Sequence, residues 1–435
     1  MDLNTILLPV LTALICSALI SFTCTPTASF IAYKIGAVDV PTDGRRMHKK
    51  PIPRLGGLAV FVAFVVSALV YCEMTPVLLS LLLGGLMIVI IGMIDDVFRI
   101  KPYAKLIIQL IAAVFPIMEG VTIDFFSIGG ETFNLGMWSK PITLLWILLV
   151  TNAVNLIDGL DGLSCGVSAI CSFSLLLVTL TFGQSLNSVL LCAILAGACL
   201  GFLPYNSNPA KIFIGDTGAM FLGYTMSVIS ISGVFKVHAT LSFLIPMSIF
   251  GLPLFDTIFA VFRRLLHGQA PWHADRGHIH HRLIDLGFNQ KQSVHILYAI
   301  SGMLGLSALL FTRDSLFGMI LILVVSLLIL LSNIYIMTHA DARHKAGLDQ
   351  ELAFDHCEPE TPAADTKTES TAAASVAETA ANAGAASDSD GAAAASPADG
   401  KTAAADVPAA DSIKAADAGK VSDNGTASDG TAKTE

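Results

Sequence analysis

The chain has 435 residues, 54% of them hydrophobic and only 14% charged, so its apolar runs are too many and too long to be buried in one water-soluble core. A bilayer is their natural solvent. The net charge of −9 misleads, because residues 341–435 hold 18 of the 34 acids and only 7 of the 25 bases; the body is left near +2 and gives no reason to expect a nucleic-acid partner.

With about 20 apolar residues needed to cross a bilayer, the sequence predicts an all-α polytopic membrane protein of about 11 transmembrane helices. They fall near 5–30, 56–73, 76–94, 104–119, 142–157, 164–182, 187–204, 213–234, 239–262, 293–311 and 315–337. The first run lacks a basic leader and is followed by many more spans, so it reads as a retained helix and not a cleaved signal. Loops after odd-numbered spans carry fifteen Lys and Arg, those after even-numbered spans only Lys140, Lys236 and Arg313. That bias puts the N-terminus outside and the C-terminus in the cytoplasm. Two domains are expected: a transmembrane body over 1–340, and a disordered cytoplasmic tail over 341–435, rich in Ala and Asp with Phe354 its one Phe, Tyr or Trp. Seven of the eight cysteines lie in or beside apolar runs with no CxxC pair, which reads as small packing residues.

Along the chain, Arg54 stands at the entry to the second span beside Lys49 and Lys50. A basic loop there is a topology signal or, next to a carboxylate and metal site, an attractor of lipid phosphate. Asp95 and Asp96 end the third span, where adjacent carboxylates repel unless a cation lies between them. Two solvated acids at a helix end are the plainer account. Oxygen donors favour Mg²⁺, with Mn²⁺ as the alternative, over zinc. In Asn155-Leu-Ile-Asp158-Gly-Leu-Asp161 the two acids are three apart, so a helical turn sets them on one face. Asp216 opens the eighth span, where an N-cap role explains it as well as a functional one. The stretch from Trp272 to Arg282 gathers His278, His280, His281 and Arg282 in the largest cytoplasmic loop. Without a cysteine among them, phosphate or sugar hydroxyls suit this set better than zinc. All these groups fall on one face, and the outer loops hold only scattered acids such as Glu73, Asp124 and Glu131. A carboxylate-coupled transporter, the reading from a different class, calls for ionisable groups near the midplane and repeated halves; neither is seen.

The ordered set PRLGG (53–57), IDD (94–96), NLIDGLDGL (155–163), GDTG (215–218) and HIHHR (278–282) resembles the polyprenyl-phosphate N-acetylhexosamine-1-phosphate transferases, over about residues 1–340 and not the tail. The resemblance implies a metal-dependent exchange at the cytoplasmic face of a bacterial membrane. Undecaprenyl or another polyprenyl phosphate attacks the sugar-linked phosphorus of a UDP-N-acetylhexosamine, giving polyprenyl-diphospho-sugar and UMP. It further implies Asp95, Asp96 and Asp216 as catalytic groups, and Asp216, Asn155 and Asp96 as the metal neighbourhood. Arg54, Lys105, Asn155, Asp158, Asp161, His278, His280, His281 and Arg282 are the implied substrate contacts. HIHHR followed by Leu283 looks more like the N-acetylhexosamine branch than the phospho-N-acetylmuramoyl-pentapeptide branch, with GlcNAc as the expected sugar. A homodimer is left open.

Overall fold

A computed structural model describes residues 3–41, 50–128, 131–235, 243–266, 268, 277–311 and five positions between 320 and 328, all within a unit spanning Met1–Glu358. The last expected span, but for those five positions, the whole tail, and Trp272–Arg276 lie outside the described residues.

The described part is a bundle of helices connected mostly by short turns: α1 (Leu3–Ile35), α2 (Gly56–Tyr71), α3 (Pro76–Phe98), α4 (Pro102–Met118), α5 (Ser139–Leu156), α6 (Leu163–Thr181), α7 (Leu186–Asn206), α8 (Gly215–Ser230, continued as a π-helical turn to Phe235), α9 (Leu244–Ile249), α10 (Gly251–Leu266), α11 (Ile279–Asp285) and α12 (Gln290–Phe311). Among the described residues seven helices are long and apolar enough to cross a membrane, and α2 and α4 are shorter apolar helices. The chain is therefore a multi-pass helical membrane protein. The ninth expected span is not one helix: α9 and α10 meet at Phe250. Pro253 has no N–H to offer the carbonyl of Ile249, and the helix breaks there.

Outward faces are apolar. Leu8, Ile15, Leu19 and Phe30 of α1 are exposed, and α10 is inverted relative to a helix in water, with Ile258, Phe262 and Leu265 outside and Asp256 and Arg264 buried. Lipid is the solvent that makes this arrangement favourable.

The core is organised around α8, almost every residue of which is buried. Between membrane helices, close approach through small residues replaces the hydrophobic driving force. Gly57 shows it: a Cβ there would lie 2.1 Å from the Gly218 nitrogen, and its own N–H donates to the Ile214 carbonyl at 2.8 Å. Two small antiparallel hairpins complete the described fold, β1 (Val38–Asp39) with β2 (Ile52–Pro53) and β3 (Phe125–Ile128) with β4 (Glu131–Asn134). The first leads into the site, because Phe213 N–H donates to the Pro53 carbonyl and Arg54 N–H to that of Ala37.

Candidate active site

The C-terminal ends of α3 and α5 and the N-terminal ends of α2, α4 and α8 meet at one end of the bundle. The first turn of α8 is the centre. A helix start leaves N–H groups without intrahelical partners, and here Asp96 takes them: its Oδ1 accepts from Asp216 N–H at 3.0 Å, and its Oδ2 from Thr217 N–H at 3.0 Å and Thr217 Oγ1 at 2.6 Å. The cap that the sequence suggested for Asp216 itself is thus supplied from α3. Asp216, in the first turn, projects its carboxylate elsewhere. Gly215 is needed at this turn, both for its φ of +70° and because a Cβ would lie 1.9 Å from the Arg54 carbonyl oxygen and 2.5 Å from Asp96 Oδ2.

Asp216 Oδ1 accepts from Asn155 Nδ2 at 2.5 Å, and Lys105 Nζ stands 3.4 Å from the same oxygen. The Lys105 ammonium also reaches Asp95 Oδ2 at 2.5 Å, and Asp95 Oδ1 accepts from Ile100 N–H at 2.8 Å. Arg54 Nε is 3.9 Å from Asp96 Oδ1. Six of the expected residues, Arg54, Asp95, Asp96, Lys105, Asn155 and Asp216, are therefore one connected group. One turn below Lys105 and Asn155 lies a pair the sequence did not single out: Asn152 Nδ2 donates to Gln109 Oε1 at 2.8 Å, joining α5 to α4.

Asp158 and Asp161 do not share a helical face. α5 stops at Leu156 and α6 starts at Leu163, with Gly162 at φ +80° between them. Asp161 turns to Asn208 Nδ2 (2.9 Å) and Ala210 N–H (3.1 Å), while the Gly162 carbonyl accepts from Tyr298 Oη at 2.5 Å. Asp158 belongs electrically to the first group. Burial first, then the negative charge of Asp216, pushes its carboxyl up to about 8 against the pull of Arg54.

The histidine segment forms a second group. His278 and His280 are stacked with ring centres 5.7 Å apart, and His281 tilts against His280 at 4.3 Å. His280 is 2% exposed, and burial followed by the neighbouring His281 lowers its imidazole to about 3, so it is neutral. Its Nδ1 has no hydrogen-bond partner among the described residues. Arg282 is buried on the same short helix. The two groups adjoin at Gly159, where a Cβ would lie 2.1 Å from His280 Nε2. Asp256, missed in the sequence because it lies inside an apolar run, contacts His278 at 2.8 Å.

Among the described residues no three His, Cys, Asp or Glu side chains form a ready metal cage. Mg²⁺ does not require one, since it is bound through one or two carboxylates together with substrate phosphates. The donors fit it: among the described residues four carboxyls, Asp95, Asp96, Asp158 and Asp216, stand near two cations, Lys105 and Arg54, and Asn155 adds an amide oxygen. A cavity of about 700 Å³ at the opposite end, lined by Tyr71, Glu73, Leu78, Gln184 and Asn187 among others, has no basic side chain among the described residues of its wall.

Helix ends that set cations and carboxylates around a point able to take phosphates define a membrane phosphotransferase. Residues 78–234 match the model of glycosyl transferase family 4, and the chain belongs to the polyprenyl-phosphate N-acetylhexosamine-1-phosphate transferases of that family. It is 41% identical to a probable undecaprenyl-phosphate N-acetylglucosaminyl 1-phosphate transferase of Bacillus subtilis, over 69% of this chain and 84% of the relative. It is 33% identical to a decaprenyl-phosphate N-acetylglucosaminephosphotransferase of Mycolicibacterium smegmatis (67% and 79%). To a phospho-N-acetylmuramoyl-pentapeptide-transferase of Moorella thermoacetica it is 32% identical, over 47% of this chain and 70% of the relative.

Proposed function

We propose that the protein transfers N-acetylglucosamine-1-phosphate from its UDP-sugar to undecaprenyl phosphate, releasing UMP and initiating a cell-envelope glycan. The observation that carries this reading is the connected group of Arg54, Lys105, Asp95, Asp96, Asn155 and Asp216 at one end of a membrane bundle. A lipid phosphate and a nucleotide diphosphate are both anionic, so the catalytic demand is to hold them in line and offset their repulsion. Asp216 and Asn155, with Asp96 behind them, would hold Mg²⁺, which would supply positive charge to offset that of the phosphates. Arg54, entering from the hairpin, and Lys105, at the start of α4, supply fixed cations on either side. The acceptor phosphate is already an anion at neutral pH, so no protein nucleophile is required, and an Asp base has little to do. Asp158, Asp161 and the His278–Arg282 segment take the nucleotide sugar, where imidazoles and a guanidinium suit hydroxyls and phosphate.

The positive-inside count supports eleven spans, an outer N-terminus and a site on the cytoplasmic side of a bacterial inner membrane, where UDP-sugars are made.

The test is a panel of radiolabelled UDP-sugars, UDP-N-acetylmuramoyl-pentapeptide included, given to the purified protein with undecaprenyl phosphate and Mg²⁺. Lipid-linked product from UDP-GlcNAc in preference to the rest supports the reading. Product from the pentapeptide donor alone moves the chain to the other branch.

A further inference from the structure

We infer that Asp256 is a positioning residue of the nucleotide-sugar site, which orients His278 and seats the first turn of α11. Asp256 is 4% exposed on the inner face of α10. A carboxyl so buried is costly unless its oxygens are bonded, and both are: Oδ2 lies 2.8 Å from His278 Nδ1, and Oδ1 accepts from Ile279 N–H at 2.9 Å. A carboxylate only accepts, so the proton of the shared contact sits on His278 Nδ1. That fixes the tautomer and leaves Nε2 as the nitrogen offered to a ligand. The same helix grips the residue before, through Arg263 Nη1 donating to the Gly277 carbonyl at 3.0 Å. Three consecutive residues are thus held by α10.

The grip extends inward. His278 lies parallel to His280, with 9° between the ring planes, and His280 abuts Gly159 beside Asp158. Asp256 therefore sets the separation between the histidine segment and the carboxylate group without touching substrate. A cap for α11 alone needs only one acceptor for Ile279 N–H, and Asp256 supplies a second bond aimed at a ring.

The inference rests on the reading that the histidine segment binds the nucleotide sugar. Its test is the full chain in lipid nanodiscs, comparing Asp256→Asn, His278→Ala and the double variant. Asp256→Asn is expected to raise KM for UDP-GlcNAc by roughly tenfold or more, the scale of losing a carboxylate partner behind a ligating histidine, with KM for undecaprenyl phosphate unchanged. His278→Ala is expected to raise the same KM, and the double variant to be no worse than His278→Ala alone. If Asp256→Asn fails to assemble, Asp256→Glu, which keeps the charge but displaces it by a methylene, is expected to raise the same KM by less. Additive losses in the double variant, or equal rises in both KM values, overturn the positioning role while leaving the site intact. An unchanged KM for UDP-GlcNAc in His278→Ala overturns the underlying reading and the inference with it.

Discussion

Of the six connected residues, Asp95, Asp96, Lys105, Asn155 and Asp216 stand on helices of sixteen residues or more and Arg54 follows Pro53, whose carbonyl accepts from Phe213 N–H just before α8, whereas the histidine segment rides on the seven residues of α11 and depends on α10 to hold it. The carboxylates cross-link: Asp96 caps α8, Lys105 bridges Asp95 and Asp216, and Asn155 reaches Asp216. The histidines meet one another by ring contact and the bundle through Asp256. Phosphoryl transfer tolerates little displacement of the reacting oxygens, and the stiff half is suited to it. The half on the short helix is suited to admitting and selecting a donor.

Changes in the two halves should therefore separate into turnover and affinity. The largest effect is expected for Asp216→Asn and Asp96→Asn, each lowering turnover by roughly 10²–10³-fold or more, the scale of removing an electrostatic group from a preorganised site, with the protein still folded in membranes. EDTA should abolish activity and Mg²⁺ restore it. Wild-type turnover in either variant, or full activity in EDTA, would contradict the stiff half of the account.

The next effect is on stability. Gly57→Ala forces a Cβ against the backbone of Gly218 and should cost about 1–3 kcal/mol, as overpacking does, seen as a lower thermal midpoint in detergent. Gly302→Ala on α12 has open space at the same atom and should be neutral or slightly stabilising. Equal midpoints for the two variants would mean that α2 and α8 are not in contact as described.

Gln109 and Asn152 offer a smaller and more particular test. Asn152→Leu leaves the amide oxygen of the buried Gln109 without its donor, at about 1–3 kcal/mol, while Gln109→Leu leaves the half-buried Asn152 its bond to the Leu148 carbonyl and should cost less; both should loosen Lys105 and Asn155 one turn above. Replacing both with Leu should recover most of the lost midpoint but not the turnover, since the hydrogen-bonded register between α4 and α5 is gone. A double variant worse than the sum of the singles would refute the pairing.

What could be read in the sequence was whatever depends on local pattern. Asp95–Asp96, Asn155 and Asp216 stand where apolar runs end, and that position alone marks an interface group. The packing partners were not legible: Asp256 and His278 are 22 residues apart, Gln109 and Asn152 are 43, and nothing in a hydrophobic pattern says which inner faces meet. The one-face expectation for Asp158 and Asp161 failed for a local reason, since α5 stops at Leu156 before either acid and Gly162, at φ +80°, caps the start of α6 just after them. The break at Phe250 was visible in principle through Pro253, but a long apolar run hid it.

The smallest expected effect concerns pH. His280 is held neutral well below its ordinary value, so the unfolded chain takes up that proton first, and stability is lost as pH falls from about 6.5 towards 3. Thermal midpoints of His280→Asn should fall less steeply over that range than those of the wild type. A steeper fall in the variant would mean that His280 is not buried as a neutral ring.

The central claim is that the sugar and its phosphate move together. UDP-GlcNAc carrying ³²P at the β-phosphorus and ³H in the sugar, given to the protein with undecaprenyl phosphate and Mg²⁺, tests it directly. Equal incorporation of both labels into the lipid, with unlabelled UMP released, is the expected result; ³H in the lipid with ³²P retained in UDP would show transfer of the sugar alone and contradict the account.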